Sequence, residues 1–182
     1  MKKLALMTAA AAAAIAAPSV ASAQEATSEA YVGLSAGLHD LGADDVAEDF
    51  GIEVDDSAVI FGVVGGVDFP MGSTTFAGVE GNFHLGTGAV DSEYGASARF
   101  GFRSEGGAKY YVRGGYQWVD IDVEELLDTD LGGLEDSVDD TGGDYLVGIG
   151  ADFPVGQGAF RVNVDTISFD TLRGTAGFVF NF

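Results

Sequence analysis

The chain has 182 residues, no cysteine and a formal charge of −21, from 8 basic and 29 acidic residues. That excludes a disulfide framework and a thiolate metal centre, and it argues against binding a nucleic-acid backbone, which needs clustered Lys and Arg. With 47% hydrophobic residues and 13 Phe, the length suits one folded domain plus a processed segment.

Lys2 and Lys3 open the chain, and Leu4 to Ala17 is an alanine-rich apolar run. Pro18 breaks the run, and Ala21-Ser22-Ala23 offers small residues at the −3 and −1 sites before Gln24. This is the tripartite pattern of a secretory signal peptide. The run is too short for the ~20 residues of a spanning helix. Residues 1–23 are therefore expected to be removed, leaving 24–182 as the mature domain. The signal lysines leave with it, so 6 basic residues then face 29 acids, a charge of −23.

Beyond residue 23 no apolar run approaches a spanning helix. Period-2 alternation recurs instead, the mark of strands. From Ala30 to Leu38 the apolar set Ala30, Val32, Leu34, Ala36 and Leu38 alternates with Tyr31, Gly33, Ser35 and Gly37. The same reading gives strands near 57–69, 75–85, 94–103, 110–118, 144–153, 160–165 and 172–182. Of these eight strands all but the shorter 160–165 run roughly 9–13 residues, which matches the length of tilted membrane strands.

The connections alternate in length. Segments 70–74, 104–108 and 154–158 are short and carry Gly or Pro, whereas 40–56, 86–93 and 119–143 are long; a modest link lies near 166–170. Short turns at one end and long loops at the other predict an all-β, eight-stranded antiparallel up-and-down transmembrane barrel. The turns would be periplasmic and the acidic loops extracellular. An even strand number puts both termini at the turn end.

Arg99, Arg103, Arg113, Arg161 and Arg173 all fall on the polar face, which is otherwise rich in Gly and Ser. A narrow lumen fits that composition, provided the charges are paired. Glu80, Asp68, Asp144, Asp152 and Asp165 are the available partners. Lumen ion pairs are expected among Glu80, Arg99, Arg113, Arg161 and Arg173, with Glu80 joined to Arg99 or Arg113. Aromatic residues near strand ends on the apolar face, including Phe69, Phe102, Tyr110, Trp118 and Phe153, suit interface girdles.

The last strand reads Thr175-x-Gly177-x-x-Phe180-x-Phe182. It resembles the terminal signal read by the outer-membrane assembly machinery, with Gly177, Phe180 and Phe182 in the signal positions. The pattern over residues 29–182 resembles the eight-stranded outer-membrane barrel superfamily. That group includes the membrane domain of outer-membrane protein A and the opacity-like porin family. The resemblance implies a bacterial outer-membrane location, with outer-membrane lipids and the assembly machinery as partners.

Segments 40–56, 86–93 and 119–143 hold 20 of the 29 acids and no Lys or Arg. Such like charge gathers counterions, and hard divalent cations take oxygen ligands. Weak Ca²⁺ or Mg²⁺ candidates are Asp44, Asp45, Asp120, Asp122 and Glu124; no other cofactor is expected. Val123, Leu126, Leu127, Leu131 and Leu134 have near-helical spacing, which predicts a short helix. His39 and His84 lie near the loop end of their strands, and a Ser–His–acid arrangement would need an apposed Ser such as Ser35 or Ser92. No H-E-x-x-H pattern occurs, and no enzyme is expected. The reading is a small structural or surface-interaction barrel with a mostly plugged lumen. A narrow porin-like channel is the alternative, and a surface hydrolase ranks last. The surface partner is not legible.

Overall fold

A computed structural model describes residues 28–40, 57–87, 90–121 and 141–182. Eight strands form one closed antiparallel sheet in sequence order. They are β1 (Glu29–Asp40), β2 (Ser57–Met71), β3 (Thr75–Gly86), β4 (Val90–Arg103), β5 (Lys109–Ile121), β6 (Thr141–Val155), β7 (Gly158–Ile167) and β8 (Thr171–Asn181). Closure comes from β1 pairing with β8, from Tyr31 opposite Asn181 to Asp40 opposite Leu172. No sheet edge is left, as a lipid-embedded sheet requires.

The faces follow the alternation. Val32, Leu34, Val63, Val79, Phe100, Val112, Ile149 and Val164 are at least 47% exposed, and all belong to the apolar faces of their strands. Arg99, Arg113, Arg161 and Arg173 are buried. The molecule is thus apolar outside and charged inside, the reverse of a water-soluble barrel.

Aromatic rings mark both rims. Tyr110 contacts Phe102 and Phe153 at the short-turn end. At the other end Tyr94 stacks on Trp118, and Tyr116 touches both Trp118 and Tyr145. Among the described residues the interior also holds two apolar clusters. Tyr31, Val64, Ala159 and Val179 form one. Ala58, Ile60, Val90 and Val119 form the other, towards the long-loop end.

The connections correct the sequence reading in one respect. Only residues 87–89 separate β3 from β4, and only 168–170 separate β7 from β8. The ladders extend further than the acid-rich composition suggested, because Ser92 and Glu93 still pair with Leu85 and His84. Gly72, Gly107 and Gly156 take positive φ at the three short turns, while Ser168 and Phe169 do so (60° and 68°) between β7 and β8. The expected signal segment 1–23 and the predicted helix at 123–134 lie outside the described residues.

Candidate functional site

The lumen is built on a repeated device. A glycine on one strand lets side chains from the strands on either side meet across it. Gly66 lies between Tyr31 and Glu80, Gly78 between Asp68 and Arg99, and Gly150 between Tyr111 and Asn163. Gly62 separates Ser35 from His84, and Gly148 separates Arg113 from Asp165. In each case a contact forms over the gap. A Cβ added at Gly66, Gly78, Gly148 or Gly150 would collide with one of the bridging side chains. The glycine excess of this chain therefore has a steric use on its inner face.

Among the described residues two ion-pair groups occupy the interior. In the first, Arg99 holds Asp68 through two hydrogen bonds (2.8 and 2.6 Å). Arg161 holds Asp152 in the same way (2.6 and 2.7 Å). Glu80 gathers Arg161, Arg113 (3.1 Å) and Arg99 (3.7 Å), and accepts a hydrogen bond from the Tyr31 hydroxyl (2.7 Å). The Tyr31 and Tyr111 rings lie 4.6 and 4.7 Å from the Arg99 guanidinium, within cation–π range. Towards the short-turn mouth Lys109 bridges Asp68 (2.6 Å) and Glu29 (2.8 Å), and Arg103 also binds Glu29 (2.7 Å).

The second group sits nearer the long loops. Arg173 joins Glu93 (2.6 Å) to Asp165 (2.9 Å). Glu93 also meets His39 Nδ1 at 2.8 Å and His84 Nδ1 at 3.3 Å. Together the groups hold six basic side chains (Arg99, Arg103, Lys109, Arg113, Arg161, Arg173) and six carboxylates (Glu29, Asp68, Glu80, Glu93, Asp152, Asp165). With both histidines neutral the network has no net charge, which is what burial demands.

Glu80, Arg99, Arg113, Arg161 and Arg173 all come together here. Glu93 does not belong to a loop as the sequence suggested: it is fully buried on β4 and anchors the second group. Asp144 stays out of the network, and its carboxylate accepts a hydrogen bond from the Tyr145 N–H (2.6 Å). Lys109 and Glu29 were missed, yet each lies one strand period outside an inward tyrosine, Tyr111 and Tyr31. Extending the alternation by one step would have found both. Gly177 faces inward opposite Ser35, whereas Phe180 and Phe182 face out, 55% and 80% exposed. Asp120 lies in β5 rather than a loop and accepts a hydrogen bond from Ser92 (2.8 Å). Asp44, Asp45, Asp122 and Glu124 lie outside the described residues. Among the described residues no three His, Asp or Glu side chains are placed to hold a metal ion.

A closed eight-stranded sheet with an apolar exterior, aromatic rims and an ionic interior defines a transmembrane barrel of the bacterial outer membrane. The family comparison agrees. The model of the outer membrane protein beta-barrel domain matches residues 7–181, and the chain belongs to that family. Among solved structures it is similar to a de novo designed transmembrane beta-barrel (TM-score 0.50, 12% identity, covering 87% of this chain and 98% of that one). It is also similar to Ail, the attachment invasion locus protein of Yersinia pestis, solved with the heparin analogue sucrose octasulfate. There the TM-score is 0.50 at 12% identity, covering 87% of this chain and 100% of that one. Neisserial surface protein A gives 0.49 at 15% identity, over 87% and 100%. No curated protein sequence matches the chain.

Proposed function

We propose that this chain is a small integral outer-membrane barrel with a structural or surface-interaction role rather than a pore. One observation carries the reading: the neutral network of six cationic and six anionic side chains across the lumen. Eight strands leave room for little more than side chains, and every arginine of the chain takes part in the network. Opening a path would mean unpairing buried charges, which is costly. Residues 1–23 serve as the export signal and 24–182 as the mature barrel, with Gly177, Phe180 and Phe182 read by the assembly machinery.

The outward role falls to the long segments. Residues 41–56 and 122–140 carry seven and nine acids without a base. Ail was solved with a sulfated polyanion, but polyanions would be repelled by this charge. The chemistry here favours cations, with Ca²⁺ or Mg²⁺ loosely gathered and linking the segments to anionic lipid headgroups. The barrel then acts as an anchor for an acidic surface.

Planar-bilayer recording of the refolded barrel tests the plugged lumen. The expected record is free of stable conducting steps. Sustained single-channel openings would favour the narrow channel instead.

A further inference from the structure

Ser35 faces the lumen from a glycine-rich stretch of the sheet. Its inward neighbours along β1 are Gly33 and Gly37, and its partners across the sheet are Gly62 on β2 and Gly177 on β8. None of the four has a side chain, and Ser35 keeps partial exposure although it faces the lumen. His84 reaches it across Gly62, with Nε2 2.7 Å from Ser35 Oγ. On its other side, His84 Nδ1 lies 3.3 Å from Glu93 Oε1 and 3.4 Å from Asn82 Nδ2. Glu93 is itself fixed by Arg173 (2.6 Å) and His39 (2.8 Å). Hydroxyl, imidazole and carboxylate thus stand in the order by which a base removes a hydroxyl proton while the acid orients the base.

The same barrel contains an internal comparison. His39 shares Glu93 and faces the Thr171 hydroxyl, but at 3.4 Å. Thr171 opens β8 beside Ile167 and donates its proton to the Ile167 carbonyl (3.2 Å). Of these two hydroxyls, only Ser35 combines a close imidazole with glycine on both neighbouring strands.

We propose that Ser35 is an activated nucleophile that accepts acyl groups from small uncharged esters. Oγ attacks the carbonyl carbon as its proton passes to His84 Nε2, and the carbonyl π pair moves onto oxygen. Collapse of this adduct breaks the bond to the alcohol oxygen, which leaves with the proton from Nε2. Water then attacks the acyl-serine by the same proton route and releases the carboxylic acid. The acid-rich segments disfavour anionic esters, and the apolar cluster of Ala58, Ile60, Val90 and Val119 on the long-loop side disfavours charged ones generally. Backbone N–H groups of β1, β2 and β8 beside Ser35 are committed to the sheet, so the oxyanion gains little from them. Both steps are therefore slow, and only an ester with a good leaving group acylates faster than water releases the acyl-serine, so about one equivalent reacts before slow turnover.

The experiment uses the full mature chain refolded in detergent, with heat-modifiable gel mobility as the check of folding. It is treated with 4-nitrophenyl acetate or a small uncharged fluorophosphonate, then analysed by intact mass and peptide mapping. The expected result is a single adduct on Ser35 and a nitrophenolate burst of about one equivalent. Ser35→Ala abolishes both, His84→Gln slows labelling roughly a hundredfold, and Thr171→Ala changes nothing. If His84→Gln does not fold, the wild-type pH profile decides: a rate rising as an imidazole loses its proton supports the relay, and a flat profile overturns it. No adduct on the wild-type barrel, an adduct elsewhere than Ser35, or equal labelling of a folded His84→Gln variant also overturns the proposal. Its failure would leave the structural and surface role intact, since the plugged lumen is tested by conductance and the acidic segments by calcium titration.

Discussion

Arg99 on β4 clamps Asp68 on β2 with hydrogen bonds of 2.8 and 2.6 Å, and it does so over the bare backbone of Gly78. A methyl group at Gly78 would meet Asp68 Oδ1 and come within 3.3 Å of Arg99 Cγ. Gly78→Ala is therefore expected to cost about 1–3 kcal/mol through overpacking. Gly114 offers the control: it faces outward, and its nearest atom to an added Cβ is 3.8 Å away. Gly114→Ala should stay within about 0.5 kcal/mol of the parent. Urea midpoints of the two variants in the same detergent, at unchanged slope, make the comparison.

Glu80 serves three guanidinium groups and one phenol. Glu80→Gln keeps the shape but leaves buried positive charge without compensation. The expected loss is about 3–5 kcal/mol, the usual cost of breaking a buried pair. Urea unfolding monitored by tryptophan fluorescence reads it, and a loss below 1 kcal/mol would show that the interior is wetter than the geometry implies.

The two ion-pair groups touch through one ion pair among the described residues. Arg113 Nε stands 3.5 Å from Asp165 Oδ1, and neither atom has a hydrogen-bond partner. A double-mutant cycle on this pair is expected to give coupling near the ~0.5 kcal/mol lower end for contacting residues, against values towards ~3 kcal/mol for Arg99 with Asp68. Equal couplings would show that the interior behaves as a single cooperative network.

Phe182 is 80% exposed on the apolar exterior, and its N–H donates to the Ala30 carbonyl (2.9 Å), which ties the chain end to β1. Phe182→Ser retains that backbone bond and removes the aromatic ring from the lipid face. Outer-membrane yield should fall, with unfolded precursor accumulating in the periplasm. Normal yield with normal heat-modifiable mobility would remove the last residue from the assembly signal.

Calcium titration tests the acidic segments. Calorimetry of the refolded barrel at low salt should show weak association, in the ~10⁻⁴–10⁻³ M range of extracellular calcium modules. The heat should fade towards 0.1 M monovalent salt, where the screening length is about 10 Å. Absence of heat in millimolar Ca²⁺ at low salt would mean that the charge serves solvation alone.

Strand alternation is a local property of the backbone, since successive side chains point to opposite faces. For that reason the sequence alone assigned every arginine to the interior and the girdle aromatics to the exterior, and it counted eight strands. Who meets whom is not local. Arg99 finds Asp68, and Ser35 finds His84, because the register places Gly78 and Gly62 between them. That register is set by closure of the whole sheet, with β8 aligned on β1. Glu93 shows the limit most plainly. Its acid-rich neighbourhood reads as loop, and only the β3–β4 ladder, running on to Leu85 opposite Ser92, turns it inward between two histidines and an arginine. Composition and period determined the class of molecule and the direction of its side chains; the hydrogen-bonded closure of the barrel decided the pairs, because a pair across two strands exists only when both ladders are in place.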